Sequence, residues 1–172
     1  MKVKDVMTEA TVKSCSPETK IATATKLMKE SNRGALPVVD KNQKVVGIIT
    51  DRDICLSLAS HQGQTPAQIT VKDILPHAKV HTIKTEDSVT DALREMRKNK
   101  IGRLPVTNKE GKLKGMISIN TLLSNAINSK DEIGRVEAKE ETLAKTIKAL
   151  FDRNNAKAGK KKLETPLLQI QD

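Results

Sequence analysis

Two four-residue runs at matching places in the chain, Thr50-Asp51-Arg52-Asp53 and Ser118-Ile119-Asn120-Thr121, carry its most suggestive chemistry. A hydroxyl residue followed three positions later by a carboxylate forms a capping box, in which each side chain takes a free N–H at the start of a helix. Thr50 and Asp53 complete that pattern. Ser118 keeps the hydroxyl, but Thr121 stands where the carboxylate belongs. Arg52 and Arg103 add guanidinium forks that can grip phosphate bidentately, although a lone arginine is most often a solvated surface residue.

Catalytic patterns do not emerge. No Ser/His/Asp, Cys/His or paired-carboxylate arrangement suggests turnover, so the chain reads as a non-enzyme. His77 and His81 are four residues apart but follow Pro76 into a loop-to-strand segment rather than a helix, a weak metal signal, and no metal is expected. Cys15 and Cys55 form no C-x-x-C and read as buried thiols in a reduced compartment. The glycines, at 34, 47, 63, 102, 111, 115, 134 and 159, are never closer than four residues. That spacing excludes G-x-G-x-x-G, and no G-x-x-x-x-G-K-[ST] occurs, so dinucleotide turns and P-loops are ruled out.

The 172 residues suit one domain or two small ones. With Phe151 the sole aromatic residue, the core must be built from Ile, Val, Leu, Ala and Met. This also argues against nucleic-acid folds that stack bases on aromatic platforms. The net charge of +10 favours polyanionic partners such as nucleotides, nucleic acid or anionic lipid. No apolar run approaches the roughly 18 residues of a membrane span, and Met1–Asp5 opens no signal peptide, so a cytoplasmic protein without membrane attachment is expected.

The elements that must position these groups come from an internal repeat. A shift of 68 residues lays Val3-Lys4-Asp5 on Val71-Lys72-Asp73, Ala24 on Ala92, Met28 on Met96, Gly34 on Gly102, and Leu36-Pro37-Val38 on Leu104-Pro105-Val106. The same register places Gly47 and Ile49 on Gly115 and Ile117. The expected organisation is one repeat over 1–60, a polar loop over 61–68, a second repeat over 69–128, and an extension over 129–172. Each copy reads as a short turn, an extended stretch (Thr11–Cys15 or Lys79–Ile83), an amphipathic helix, a hairpin and a closing helix. In the second copy Val89, Ala92, Leu93 and Met96 recur at i, i+3, i+4 and i+7, with Ser88 and Asp91 as the box at the helix start. The hairpins pair Leu36–Asp40 with Val45–Thr50 and Leu104–Asn108 with Leu113–Ser118, and the closing helices fall near Asp51–Ser60 and Ile119–Asn128. The fold class is α+β, two β-α-β-β-α units with a C-terminal helical extension.

These residues resemble the tandem cystathionine-β-synthase (CBS) domain pair. The carriers are Val3–Met7, Ala24-x-x-x-Met28, Gly34–Asp40 and Gly47–Ile54, together with Val71–Leu75, Ala92–Met96, Gly102–Val106 and Gly115–Leu122. The resemblance implies a pseudo-two-fold pair with two clefts between the repeats. In each, the strand-to-helix junction of one copy would face the pre-proline segment and first strand of the other. A carboxylate there can accept both ribose hydroxyls, and free N–H groups at a helix start attract phosphate. One cleft would then use Ile48, Thr50, Arg52 and Asp53 with Lys79, Val80, Arg103, Leu104 and Pro105. The other would use Ser118 and Thr121 with Arg33–Pro37, including Ala35, Leu36 and Pro37. Lacking the ribose clamp, this second cleft is expected to be weaker, empty or selective for something else.

The extension carries only two of the ten net positive charges, so the body is the basic part. Ile133, Val136, Leu143, Ile147 and Leu150 recur at three- and four-residue steps, broken by Glu140, which predicts a helix over 131–153. That helix would pack on its own body, pair with a second copy or dock on another protein. Three functions follow from these readings. The first is a regulatory module binding an adenine nucleotide or other adenosyl ligand (AMP, ADP, ATP or S-adenosylmethionine), with no obligatory cofactor and with self-association into a homodimer. The alternative is a dimerisation and interaction scaffold with unused clefts, working through its C-terminal helix. Nucleic-acid binding through the basic surface is the least favoured.

Overall fold

The computed structural model describes residues 1–8, 13–61, 63–75, 79–128, 143–150 and 152. After a 3-10 turn at Val3–Asp5, the first copy contains α1 (Ile21–Ser31), β1 (Ala35–Val39), β2 (Val45–Thr50) and α2 (Asp51–Ser60). The second contains α3 (Val71–Ile74), β3 (Ile83–Lys84), α4 (Val89–Asn99), β4 (Arg103–Thr107), β5 (Leu113–Ser118) and α5 (Ile119–Asn128). A further helical stretch, α6, covers 143–150. The α+β class and the doubled repeat are as the sequence predicts, and both closing helices fall at their predicted bounds. The opening extended stretches are shorter than expected: that of the second copy is a strand only at Ile83–Lys84, and that of the first is a single parallel bridge from Cys15 to Val38, with Thr11 outside the described residues.

Hydrophobic spacing explains the helices. The expected stripe Val89, Ala92, Leu93 and Met96 is buried in α4, while α1 buries Ile21, Ala24 and Met28. Both end the same way: Asn32 (φ 49°) and Lys100 (φ 53°) adopt the left-handed conformation. The next N–H then reaches back five residues, Arg33 to the Met28 carbonyl at 2.9 Å and Ile101 to the Met96 carbonyl at 2.9 Å. This Schellman closure turns the chain sharply into β1 or β4. The hairpins share one register, with a bulge after Val38 and after Val106. Pro37 lies mid-strand. Its carbonyl accepts the Cys15 N–H at 3.1 Å, so its missing N–H faces the short Cys15 edge and costs the hairpin no bond.

The opening turn of each copy serves the other copy. Val3 and Val6 join Ile83, Val89, Ala92, Leu93, Met96, Leu104, Val106 and Ile117 in one core, whereas Ile69 and Val71 join Ile21, Ala24, Met28, Leu36, Val38 and Ile49 in the other. Backbone bonds fix the exchange: the Val3 N–H donates to the Asp87 carbonyl at 2.9 Å, and the Val71 N–H to the Thr19 carbonyl at 2.8 Å. Two glycines of the repeat permit it. A Cβ at Gly115 would lie 2.4 Å from the Thr8 carbonyl oxygen, and one at Gly47 would lie 2.7 Å from Leu75 Cδ1. The repeats also meet at their hairpin turns, where the Leu113 N–H donates to the Gln43 carbonyl at 3.0 Å. Leu143 and Thr146 of α6 are buried and Ile147 and Leu150 pack beside them, all on the second repeat's side. The described half of the C-terminal stripe is therefore used within the chain; Ile133, Val136 and Glu140 lie outside the described residues. Among the described residues no helix is long and apolar enough to cross a membrane.

Candidate functional site

Each strand-to-helix junction is tied to the glycine that precedes the first hairpin strand of its own copy. The Asp51 N–H donates to the Gly34 carbonyl at 3.2 Å, and the Ile119 N–H to the Gly102 carbonyl at 3.0 Å. The start of α5 is thereby held beside Arg103, which is also the cross-strand partner of Ser118. Facing it are Asn32, Arg33 and Gly34 from the closed end of α1. Between these two surfaces lies a cavity of about 930 Å³ lined from both repeats.

The lining sorts by chemistry. Its cations are Lys13, Arg33 and Arg103, and no described carboxylate lines it. Ser118, Thr121 and Asn120 bring hydroxyl and amide groups from the α5 terminus. Leu36, Met116, Leu123, Ile147 and Leu150 supply apolar wall, the last two from α6. Ser118 Oγ accepts the Thr121 N–H at 3.1 Å, and the two hydroxyls lie 2.9 Å apart. They cap the helix as a box would, but without a carboxylate. A separate, shallower groove of about 540 Å³ runs along α1 and α2 past Lys29, Arg33, Asp51 and Leu58.

At the other junction the capping box is complete. The Thr50 N–H donates to Asp53 Oδ2 at 2.9 Å, Thr50 Oγ1 donates to the same oxygen at 2.7 Å, and the Asp53 N–H donates to Thr50 Oγ1 at 3.2 Å. One carboxylate oxygen is thus committed to the cap, while Oδ1 has no hydrogen-bond partner among the described residues. Arg52 is exposed, its N–H donating to Asp51 Oδ1 at 2.7 Å. Ile48 is half-buried opposite Pro37, while Lys79 is exposed and Val80 half-buried ahead of β3. Leu104 and Pro105 are buried in β4.

The structure thus brings Ser118, Thr121, Ala35 and Leu36 to one cavity, and with them Arg103, which the sequence assigns instead to the Thr50–Asp53 cleft; its cross-strand pairing with Ser118 holds it beside the start of α5. Thr50, Arg52 and Asp53, with Ile48, Pro37, Lys79, Val80, Leu104 and Pro105, lie outside its lining. Sequence reasoning named Arg33 within its cleft segment but missed Lys13, Asn120, Ile147 and Leu150. Lys13 is an exposed lysine with no motif around it; the signal that could have found it is a charge difference between the copies, since position 81 holds His. Of the pair His77 and His81, His77 lies outside the described residues and His81 Nδ1 stands 4.0 Å from Glu95. The thiols separate: Cys15 is buried and Cys55 exposed, so the expectation of two buried thiols holds only for Cys15. Burial pushes the Cys15 thiol up to about 11.

Comparison with known proteins places this geometry. The CBS domain family matches twice, over residues 3–60 and 71–128. An uncharacterized 17.7 kDa protein of Acidianus ambivalens is 42% identical over 106 residues, which are 62% of this chain and 62% of that protein. The chain therefore spans less than two thirds of the length of that relative, and a smaller share of longer ones. Among solved structures, CBSX2 in complex with AMP is 27% identical with a TM-score of 0.63, covering 75% of this chain and 98% of that one. The CBS domain pair of protein MJ0100, in complex with 5′-methylthioadenosine and S-adenosyl-L-methionine, is 26% identical with a TM-score of 0.64, covering 76% and 98%.

Proposed function

This chain belongs to the CBS domain family, and on that premise we propose that it is a non-catalytic regulatory module that holds an adenosyl ligand between its two repeats. The observation that carries this reading is the cavity of about 930 Å³, with walls from both copies and a lining that is cationic and hydroxyl-rich beside the start of α5. Arg33 and Arg103 are the groups for phosphate, and Leu36, Met116 and Leu123 form apolar surface on which an adenine can lie without an aromatic platform. In the other cleft Asp53 Oδ1 is the acceptor for a ribose diol, beside Thr50. That similar chains are named for complexes with AMP, or with 5′-methylthioadenosine and S-adenosyl-L-methionine, supports the ligand class. A ligand bridging the repeats shifts their relative orientation by as much as its affinities for the two arrangements differ. Leu56 and Leu58, exposed on α2, support self-association into a homodimer, which light scattering would read as twice the chain mass.

The test uses the odd composition. Without Trp or Tyr the protein is nearly transparent where proteins usually absorb, so a co-purified nucleotide would dominate its ultraviolet spectrum. Calorimetry on the ligand-stripped chain with AMP, ADP, ATP and S-adenosylmethionine should give saturable binding for at least one. A phosphorylated ligand should weaken in Arg103→Ala, and one held by its diol in Asp53→Ala. Four flat titrations would transfer the function to the scaffold reading.

A further inference from the structure

The two strand-to-helix junctions share a framework but not a charge. Moving 68 residues along the chain carries Lys13 to His81, Arg33 to Ile101, Arg103 to Ala35 and Thr121 to Asp53. No cation of the open cavity has a lysine or arginine at its counterpart, and the one neutral hydroxyl at the clamp position becomes a carboxylate. The counterparts of Asn32, Ile119 and Asn120 are Lys100, Asp51 and Arg52, so the Thr50 side mixes two cations with two carboxylates. The Ser118 side holds three cations, and no described carboxylate lines it. None of Lys13, Arg33 and Arg103 has an ion pair among the described residues.

Three like charges that line one concavity and are unpaired among the described residues repel one another, and a ligand of matching opposite charge relieves this. A single phosphate would leave much of the charge unanswered. The volume lies at the upper end of the roughly 300–1,000 Å³ usual for small-molecule sites, which leaves room for further phosphate beside a nucleoside. At the clamp position Thr121 and Ser118 face each other at 2.9 Å, so nothing there demands a free ribose diol.

We infer that the Ser118–Thr121 cavity selects a nucleotide carrying two or more phosphate groups and does not read its ribose diol. Lys13, Arg33 and Arg103 are the specificity-determining residues, and Thr121 is the position where diol recognition has been given up. The inference rests on the reading of an adenosyl ligand between the repeats.

The test is calorimetry on the ligand-stripped full chain with AMP, ADP, 2′-deoxy-ADP and inorganic tripolyphosphate. ADP should bind at least about tenfold tighter than AMP, as one added charge-assisted contact implies. 2′-Deoxy-ADP should match ADP within about threefold, and Arg103→Ala should remove about tenfold of ADP affinity. Thr121→Asp completes a capping box on α5, so it keeps the fold, and it should create a preference for ADP over 2′-deoxy-ADP of about fivefold or more. Equal AMP and ADP affinities, or a wild-type chain that rejects 2′-deoxy-ADP, would overturn the inference while leaving the adenosyl reading intact. Tripolyphosphate binding with no gain from adenine would overturn the adenosyl reading and leave the polyanion site standing. No binding of any probe would overturn both.

Discussion

The junction at Thr50 and the junction at Ser118 are assembled from the same parts: a hairpin in the same register, a helix starting at the next residue, and a glycine carbonyl holding its first N–H. Inside, the copies keep their pattern, with Ala24 and Ala92, Met28 and Met96, and Ile49 and Ile117 all buried. At the rim they part, since exposed side chains such as Lys13, Arg33 and Arg103 can exchange charge at little cost to the fold. The copies also differ in support. The second repeat gains Leu143, Ile147 and Leu150 from α6, two of which line its cavity, and the first repeat has no such cover among the described residues. The two copies keep one scaffold while their junctions differ in charge.

The asymmetry of support is the easiest part of this comparison to break. Leu143→Ala should cost about 2–3 kcal/mol in chemical denaturation, at the low end for a buried leucine because the site lies at the core's edge. A loss below about 0.5 kcal/mol, a surface value, would mean that α6 contributes nothing. The glycines sharpen the likeness between copies. Gly115→Ala drives a methyl into the Thr8 carbonyl and should cost about 2–3 kcal/mol, whereas Gly47→Ala meets the movable end of Leu75 and should cost about 1 kcal/mol. Equal losses would show that the exchanged segments press on the two hairpins alike.

Smaller effects separate paired positions. Cys55 is exposed and Cys15 is buried with its thiol raised to about 11, so a thiol reagent at neutral pH should label Cys55 on the order of a hundredfold faster. Two fast thiols would contradict the packing of Cys15 beside β1. Acid stability should move least. Hydrogen bonds from Thr70 and Ser88 hold the Asp73 and Asp91 carboxyls below their ordinary values, and the Lys2 and Lys4 ammonium groups do the same for Glu86. Their folded forms bind protons less readily than the unfolded chain, so their stabilisation is complete above the ordinary carboxylate range and fades as pH falls through the lowered values. The thermal midpoint should decline below about pH 4, and less steeply in Asp73→Asn.

The repeat, both hairpins and the buried stripes were legible in the sequence, because periodic burial writes itself into residue order. The exchange of opening turns was not. Alignment at 68 residues shows that Val3 and Val71 are equivalent, but equivalence does not say which core each enters; backbone bonds to Asp87 and Thr19 decide that. The capping hydroxyls at 50 and 118 and the missing carboxylate at 121 were visible as patterns. The convergence of Lys13 with Arg33 and Arg103 was not, since exposed cations leave no periodic trace and only the fold brings them within one cavity. The α6 wall escaped for a similar reason: a heptad stripe predicts a helix without naming the surface it covers.

The division of charge between the two junctions is tested most directly by giving the Ser118 cavity the residues of its counterpart. The double variant Arg33→Ile, Arg103→Ala replaces two exposed side chains, and its ADP affinity can be set beside that of Asp53→Asn by calorimetry. The double variant should lose about a hundredfold, two charge-assisted contacts' worth, while Asp53→Asn stays within about threefold of the wild type. An unchanged affinity in the double variant, with the loss appearing instead in Asp53→Asn, would contradict the assignment of phosphate to the cationic cavity.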